Sequence, residues 1–195
     1  MSLWQYLRSR SDDVLILCGL LIRCLLINKH NLWFDENVSL IIAQFPLGEL
    51  FKNAAYDNHP PLYFILIKLF SFITNDPLLL RFSSVIIGTI TLWILYKFVS
   101  QLINRRVGLV TLILFSLSPL HIYYSTELRM YELLTLEGLL LIWFLYNYLE
   151  TEKSKYLIYY HLTAIVFLYT HYFSVIFLIT LGAIILFFYK QFFLK

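Results

Sequence analysis

Two adjacent carboxylates, Asp35-Glu36, follow the first long apolar run of this 195-residue chain, at the end of Leu32-Trp33-Phe34-Asp35-Glu36. Burial raises a carboxylate pKa and a nearby cation lowers it, so a pair at a membrane edge can be tuned as a general base. A lone acidic pair is a weak motif, however, and on spacing alone interfacial solvation beside a Trp/Phe belt is the favoured account of it. The stretch Asp57-Asn58-His59-Pro60-Pro61-Leu62-Tyr63 is more informative. Its double proline forbids helix at its start and holds the preceding chain extended, fixing Asp57 and His59 in a turn before an apolar segment. Helix-start punctuation explains the prolines but not the Asp and His.

A third polar group, Glu127-Leu128-Arg129-Met130-Tyr131, follows Ser118-Pro119. It can present an acid, a phosphate-binding fork and a hydroxyl from one loop, or a snorkelling Arg within an aromatic belt. Arg81 is open to the same two readings, snorkeller or phosphate ligand. His171, in Tyr169-Thr170-His171-Tyr172, reads alone as a belt or hydrogen-bonded structural histidine. Glu137 lies inside an apolar run, where a carboxylate is costly and requires a partner. Asn37-Val38-Ser39 matches a glycosylation acceptor but lies close to the membrane.

The elements that carry these residues must be membrane helices. The chain is 60 % hydrophobic and 18 % aromatic, with mean hydropathy +0.74, whereas soluble domains are roughly half apolar and about a quarter charged. The first apolar run, Val14 to Ile27, has no small-residue cleavage site after it and is expected to stay as the first anchor. Cys18 and Cys24 fall within that run and read as packing residues. Net charge is +3 without a basic stripe or helix, so nothing points to nucleic acid.

A helix needs about 20 residues to cross the roughly 30 Å hydrocarbon core. Residues 14–34, 77–100, 107–123, 130–149 and 156–190 approach or meet that length, the last as two helices broken at Thr170-His171-Tyr172. Residues 61–74 are short enough to be re-entrant or interfacial, and 43–56 read as an interfacial amphipathic helix. If 61–74 does not cross, residues 1–13, 97–106, 150–156 and 190–195 are cytoplasmic. They then hold Arg8, Arg10, Lys97, Arg105, Arg106, Lys153, Lys155, Lys190 and Lys195 of the 15 Lys and Arg, as the positive-inside rule requires. This predicts an all-α polytopic bundle of about six spans with both ends cytoplasmic. Residues 1–195 form a single membrane domain, with a first span at 14–34, an outer loop at 35–76 carrying interfacial helices, and further spans over 77–190. Outside the membrane lie Asp35, Glu36, Glu49, Asp57, Asp76, Glu127 and Glu132, with His30, His59, His121 and His171.

In this order, these pieces resemble the polyprenyl-phosphate-dependent glycosyltransferases of the GT-C fold, in the branch of protein O-mannosyltransferases and lipid A aminoarabinose transferases. The resemblance rests on Asp35-Glu36, Asp57 through Tyr63, Leu80-Arg81-Phe82-Ser83, Ser118-Pro119 with Glu127-x-Arg129-x-Tyr131, and Thr170-His171-Tyr172, and runs from about residue 30 to 175. It implies sugar transfer, with inversion, from a polyprenyl-phosphate donor to an acceptor hydroxyl of a glycan, lipid or protein on the outer face. Asp35 would be the general base, with Glu36 at the catalytic centre beside it. Arg129, Arg81 or a divalent metal ion would hold the phosphate charge. Asp57, His59, Glu127, Tyr131 and His171 would bind donor or acceptor. Chains of this kind usually run to several hundred residues, so the resemblance implies an incomplete GT-C module. Where aminoarabinose transferases carry a Lys before the double proline, this chain has His59, a weaker phosphate ligand at neutral pH unless its pKa is raised. The competing expectation is a non-catalytic bundle acting as an assembly or binding partner. A transporter fits less well, since the interior offers only Arg23 and Glu137 as charged positions and no Gly/Pro-broken repeat.

Overall fold

Prolines and short polar runs punctuate an otherwise apolar chain, and each marks a helix boundary. The structure, a computed structural model, describes residues 10–29 and 31–188, where ten helices and no strand occur. Arg8, His30, Lys190 and Lys195 lie outside the described residues. Helix α1 (Ser11–Leu26) ends where Asn28, Lys29 and Asn31 interrupt the apolar run, and α2 (Phe34–Gln44) begins after an extended Trp33. The stretch expected as one span over 14–34 is therefore a helix followed by an irregular turn. Asp35 and Glu36 consequently occupy the first turn of α2, where acidic side chains complement the helix dipole.

Pro46 divides the expected 43–56 helix. It disfavours helix at the residue before it, so Phe45 is extended (φ −65°, ψ 151°), and α3 (Leu47–Tyr56) starts anew. Pro60-Pro61 then open α4 (Leu62–Ser71), whose 10 residues reach only about 15 Å. Helices α2 to α4 bury Ile42, Ala43, Leu50, Ala54, Tyr63, Phe64 and Ile67 against one another and against Leu80, Leu128 and Met130. Lys68 of α4 donates to the carbonyls of Ala43 and Phe45 at 3.2 and 2.9 Å, tying down the end of α2. These short helices form a cap over one end of the bundle.

The bundle itself begins with α5 (Pro77–Leu102), which has Pro77 in its first turn and Asp76 accepting the Leu78 N–H at 2.8 Å as its N-cap. Asn104 caps α6 (Arg105–Ser116) in the same way. Ser118-Pro119 then bends the path by 66° into α7 (Pro119–Ser125). Helix α8 (Tyr131–Thr151) closes on Glu152 in the left-handed region (φ 54°), followed by α9 (Ser154–Thr170) and α10 (Phe173–Phe188). The break between α9 and α10 falls at His171-Tyr172.

Helix α5 packs against α1, α6 and α8, and α8 packs on α9. At the end away from the cap, Leu92, Tyr96 and Leu112 form a second core with Leu15 and Ile16 of α1, and Gln101 bridges Asn147 and Trp143 at 2.8 Å each. Among the described residues, α5 and α8 are each long and apolar enough to cross a membrane, or three spans if the bent α6–α7 pair counts as one. Helices α1, α9 and α10, of 16, 17 and 16 residues, reach about 24 to 26 Å. The bundle inverts the pattern of a soluble fold. Leu21, Leu25, Ile176, Ile179 and Phe187 face outward, while Arg23, Thr91 and Glu137 are buried. An all-helical integral membrane protein satisfies its backbone internally and hides its polar side chains from lipid in this way.

Candidate functional site

Successive residues of α2 point about 100° apart, which sends Asp35 and Glu36 into different surroundings. Glu36 is fully buried and accepts four hydrogen bonds. Its donors are the Trp33 N–H at 3.3 Å, the Leu128 N–H at 2.8 Å, and Arg81 Nε and Nη2 at 2.7 and 2.6 Å. Arg81, 3 % exposed, also donates to the carbonyls of Ile27 and Asn31 at 3.1 and 3.3 Å. One ion pair therefore joins the α1–α2 turn, α2, α5 and the loop before α8. Fork-on-fork pairing of this kind is the strongest arrangement a buried Arg and carboxylate can make.

Asp35 faces the other way, with a third of its side chain exposed. Beneath it lies Arg129, only 2 % exposed, which donates to the Asp35 carbonyl at 3.2 Å and to Ser39 Oγ at 3.1 Å. The guanidinium also stands 3.9 Å from the Asp35 carboxylate and 3.8 Å from that of Asp57. Asn58 in the left-handed region (φ 56°) turns the chain so that Asp57 and His59 face the same space. His59 Nδ1 lies 2.9 Å from Asp57 Oδ2 and 2.7 Å from its carbonyl. Those acceptors assign the proton to Nδ1, leaving Nε2 to accept from Arg129 Nη2 at 3.4 Å.

The break between α9 and α10 brings His171 to the same floor. Its ring meets that of His59 edge-on with centroids 5.2 Å apart and lies 6.2 Å from that of Tyr131. His171 Nδ1 accepts the Phe173 N–H at 3.1 Å, so its Nε2 carries the proton. Burial, then the nearby His59 and Arg129, push the His171 pKa down and keep the ring neutral.

Glu127 is separate. It lines a cavity of about 240 Å³ with Trp33, Tyr123, Asn31 and the outer wall of the Glu36–Arg81 pair. The residue is 4 % exposed, both carboxyl oxygens are buried without a well-formed hydrogen bond, and the Trp33 side chain acts on the carboxyl as a donor. Burial above all, with Glu36 and Asp35 adding repulsion, raises its pKa to about 7.

Among the described residues, no group of three or more His, Cys, Asp or Glu gathers as a metal site. The space between the Asp35 and Asp57 carboxylates is taken by the Arg129 guanidinium, a fixed cation. The residues as placed do not fit a divalent ion.

Of the residues singled out in the sequence, Asp35, Asp57, His59, Arg129, Tyr131 and His171 converge. Glu36 and Arg81 form the wall behind them, and Glu127 opens on the far side of that wall. Sequence reasoning did not find Ser39, Trp33 as a cavity residue, or the buried group below them. There Arg23 donates to Ser125 Oγ at 2.8 Å and contacts His121, whose Nε2 lies 3.0 Å from Glu132. The signal for that group was an arginine inside an apolar helix, which demands a partner. Glu137 likewise has one, accepting from Thr170 Oγ1 at 2.9 Å.

Residues 58–195 match the model of a family described as dolichyl-phosphate-mannose-protein mannosyltransferase. The matched stretch contains His59, Arg81, Glu127, Arg129, Tyr131 and His171, while Asp35, Glu36 and Asp57 precede it. No curated protein and no solved structure matches the chain.

Proposed function

The chain belongs to the dolichyl-phosphate-mannose-protein mannosyltransferase family, and from that premise we propose that it transfers a sugar from a polyprenyl-phosphate donor to an acceptor hydroxyl on the non-cytoplasmic side of the membrane. One observation carries the assignment of the base. Of the two adjacent carboxylates, Glu36 is sealed against Arg81, whereas Asp35 keeps a third of its side chain open above Arg129.

Asp35 takes the proton of the acceptor hydroxyl as that oxygen attacks the anomeric carbon. The bond from that carbon to the phosphate oxygen breaks, and the polyprenyl phosphate leaves with the electron pair. Attack from the face opposite the phosphate inverts the anomeric centre. Such a leaving group needs little protonation but its charge must be held. His171 Nε2–H and the Tyr131 hydroxyl are donors at the edge of the floor for that purpose. Arg129 supplies a fixed positive charge beneath them and orients Asp35, Asp57 and His59. Glu36 and Arg81 act as positioning residues, holding α2 and the loop carrying Arg129 in register. The outer-face reading rests on the basic cytoplasmic turns, and the polyprenyl chain would lie along the apolar helices.

Membranes containing the protein, supplied with a radiolabelled polyprenyl-phosphate mannose, test the proposal. Label should pass from the donor to acceptor, and Asp35→Asn should lower the rate by about 100-fold or more while leaving the thermal unfolding midpoint unchanged. Wild-type rates in Asp35→Asn would remove Asp35 as the base.

A further inference from the structure

Arg23 lies in the last turn of α1, a helix whose Leu17, Leu21 and Leu25 face outward, yet it is itself fully buried. A guanidinium inside a bundle has to be met by acceptors from several directions. Nη1 donates to the Gly19 carbonyl one turn back at 2.8 Å, Nε donates to Ser125 Oγ at 2.8 Å, and Nη2 donates to His121 Nδ1. With Nδ1 accepting, His121 carries its proton on Nε2, which faces the Glu132 carboxylate at 3.0 Å. The group therefore runs cation, neutral ring, anion, and all three side chains are buried.

Backbones close in around this group. A Cβ at Gly19 would come within 2.7 Å of Leu92 Cδ1, one at Gly88 would strike Ser125 Cβ, and both would lie 3.5 Å from the Arg23 guanidinium. Helices α1, α5 and α7 thus meet on Arg23 at two glycines. Its partners give it reach. Ser125 is the last residue of α7 and Glu132 the second of α8, so they bracket residues 126–130, the loop that carries Arg129. From the opposite side, the Leu128 N–H of that loop is fixed to Glu36 at 2.8 Å. Four residues beyond Arg23, the Ile27 carbonyl accepts from Arg81 at 3.1 Å, in the turn that leads to Asp35. Arg23 sits where the segment leading to Asp35 and the loop bearing Arg129 are joined.

We propose that Arg23 is a positioning residue for the transfer reaction: acting through Ser125, His121 and Glu132, it sets the loop carrying Arg129 against the segment carrying Asp35. It touches neither substrate nor the reacting atoms. The proposal rests on the transferase reading for its effect on rate, but not for its effect on the loop. Misplacing a catalytic group by an ångström can cost ~100-fold in rate, so a pin below the floor can govern turnover. Charge balance against Glu132 is the competing role, and the two separate experimentally.

Met130 reads the loop directly. It is fully buried against the capping helices, and Met1 is the only other methionine in the chain. With methionine methyl groups isotope-labelled for NMR of the detergent-solubilised protein, the Met130 resonance, assigned through Met130→Leu, should shift or split in Arg23→Leu. Ser125→Ala, which removes one bond to Arg23 and keeps the Cβ, should move it the same way by less, and guards against a failure of Arg23→Leu to fold. Turnover of a polyprenyl-phosphate mannose should fall about tenfold or more in Arg23→Leu, with donor KM changing less than about threefold. Pairing Arg23→Leu with Glu132→Leu removes both charges. That double variant should recover the thermal unfolding midpoint but neither the Met130 resonance nor kcat, whereas a purely charge-balancing Arg23 would recover all three. An unmoved Met130 resonance in both single variants, an unchanged kcat in Arg23→Leu, or wild-type kcat in the double variant overturns the proposal. Should the wild type transfer no sugar, the transferase reading falls, and the Met130 resonance still decides whether Arg23 sets the loop.

Discussion

Arg81 grips Glu36 with two hydrogen bonds of 2.7 and 2.6 Å, and both side chains are sealed from solvent. The pair joins segments 45 positions apart in the chain, and through the Leu128 N–H it also holds the loop that carries Glu127 and Arg129. It is the hinge pin between the capping helices and the bundle.

Removing one partner should therefore cost far more than removing both. Glu36→Ala or Arg81→Ala leaves a buried charge uncompensated and should destabilise the protein by about 3–5 kcal/mol, whereas a paired replacement by apolar residues of similar size should recover much of that loss. Thermal unfolding in detergent, followed as a double-mutant cycle, measures the coupling. Additive single effects would show that the pair is not the joint described.

Arg129 is held by geometry as well as charge. Its Nη1 serves both the Asp35 carbonyl and Ser39 Oγ and its Nη2 serves His59 Nε2, while the guanidinium stands between two carboxylates. A lysine ammonium keeps the charge but cannot span those directions. Arg129→Lys should lower transfer by about tenfold or more, the cost of roughly one lost hydrogen bond to a charged group, with little change in helix content. An unchanged kcat in Arg129→Lys would reduce its role to charge alone.

Glu127 links stability to pH. Its folded pKa, about 7, exceeds the ordinary carboxylate value, so the native state binds the proton more tightly than the unfolded state does. Its stabilising contribution is complete below the unfolded pKa, near 4.3, and is lost as pH rises through about 7. Glu127→Gln cannot ionise, so its stability relative to wild type should rise between those limits and level off above pH 7. The gain should be on the order of a few kcal/mol, the scale that a raised pKa of this size sets for a buried carboxyl. Unfolding midpoints of both proteins from pH 4 to 8 measure it, and a pH-independent difference would contradict the burial argument.

Sidedness can be read with single cysteines at exposed positions. Lys52 in α3 and Lys153 in the α8–α9 turn are both exposed. In right-side-out vesicles, a membrane-impermeant maleimide should label Lys52→Cys and leave Lys153→Cys unlabelled until the vesicles are opened. The reverse pattern would put the Asp35 floor on the cytoplasmic side.

The membrane class, the helical architecture and the breaks at Pro60-Pro61 and at Thr170-His171-Tyr172 were legible in the residues themselves, because each has a local cause, whereas the breaks that divide 14–34 and 43–56 were not drawn from them. Apolar runs must become helices in lipid, Pro46, Pro60-Pro61 and Pro119 must end or bend them, and Asp76, Asn104 and Ser118 cap the helices that start after them. The polar residues of the floor were also visible as types: Asp35, Asp57, His59, Arg129, Tyr131 and His171. Their partnerships were not. Asp35 and Glu36 are neighbours in the chain, and Arg81 and Arg129 look alike as isolated arginines. Only packing made Glu36 and Arg81 a closed structural pair while leaving Asp35 open above Arg129. The turn of α2 sends adjacent carboxylates to different faces, and the partners waiting on each face come from segments 45 to 94 positions away. Such contacts depend on how helices dock, and no local pattern encodes them.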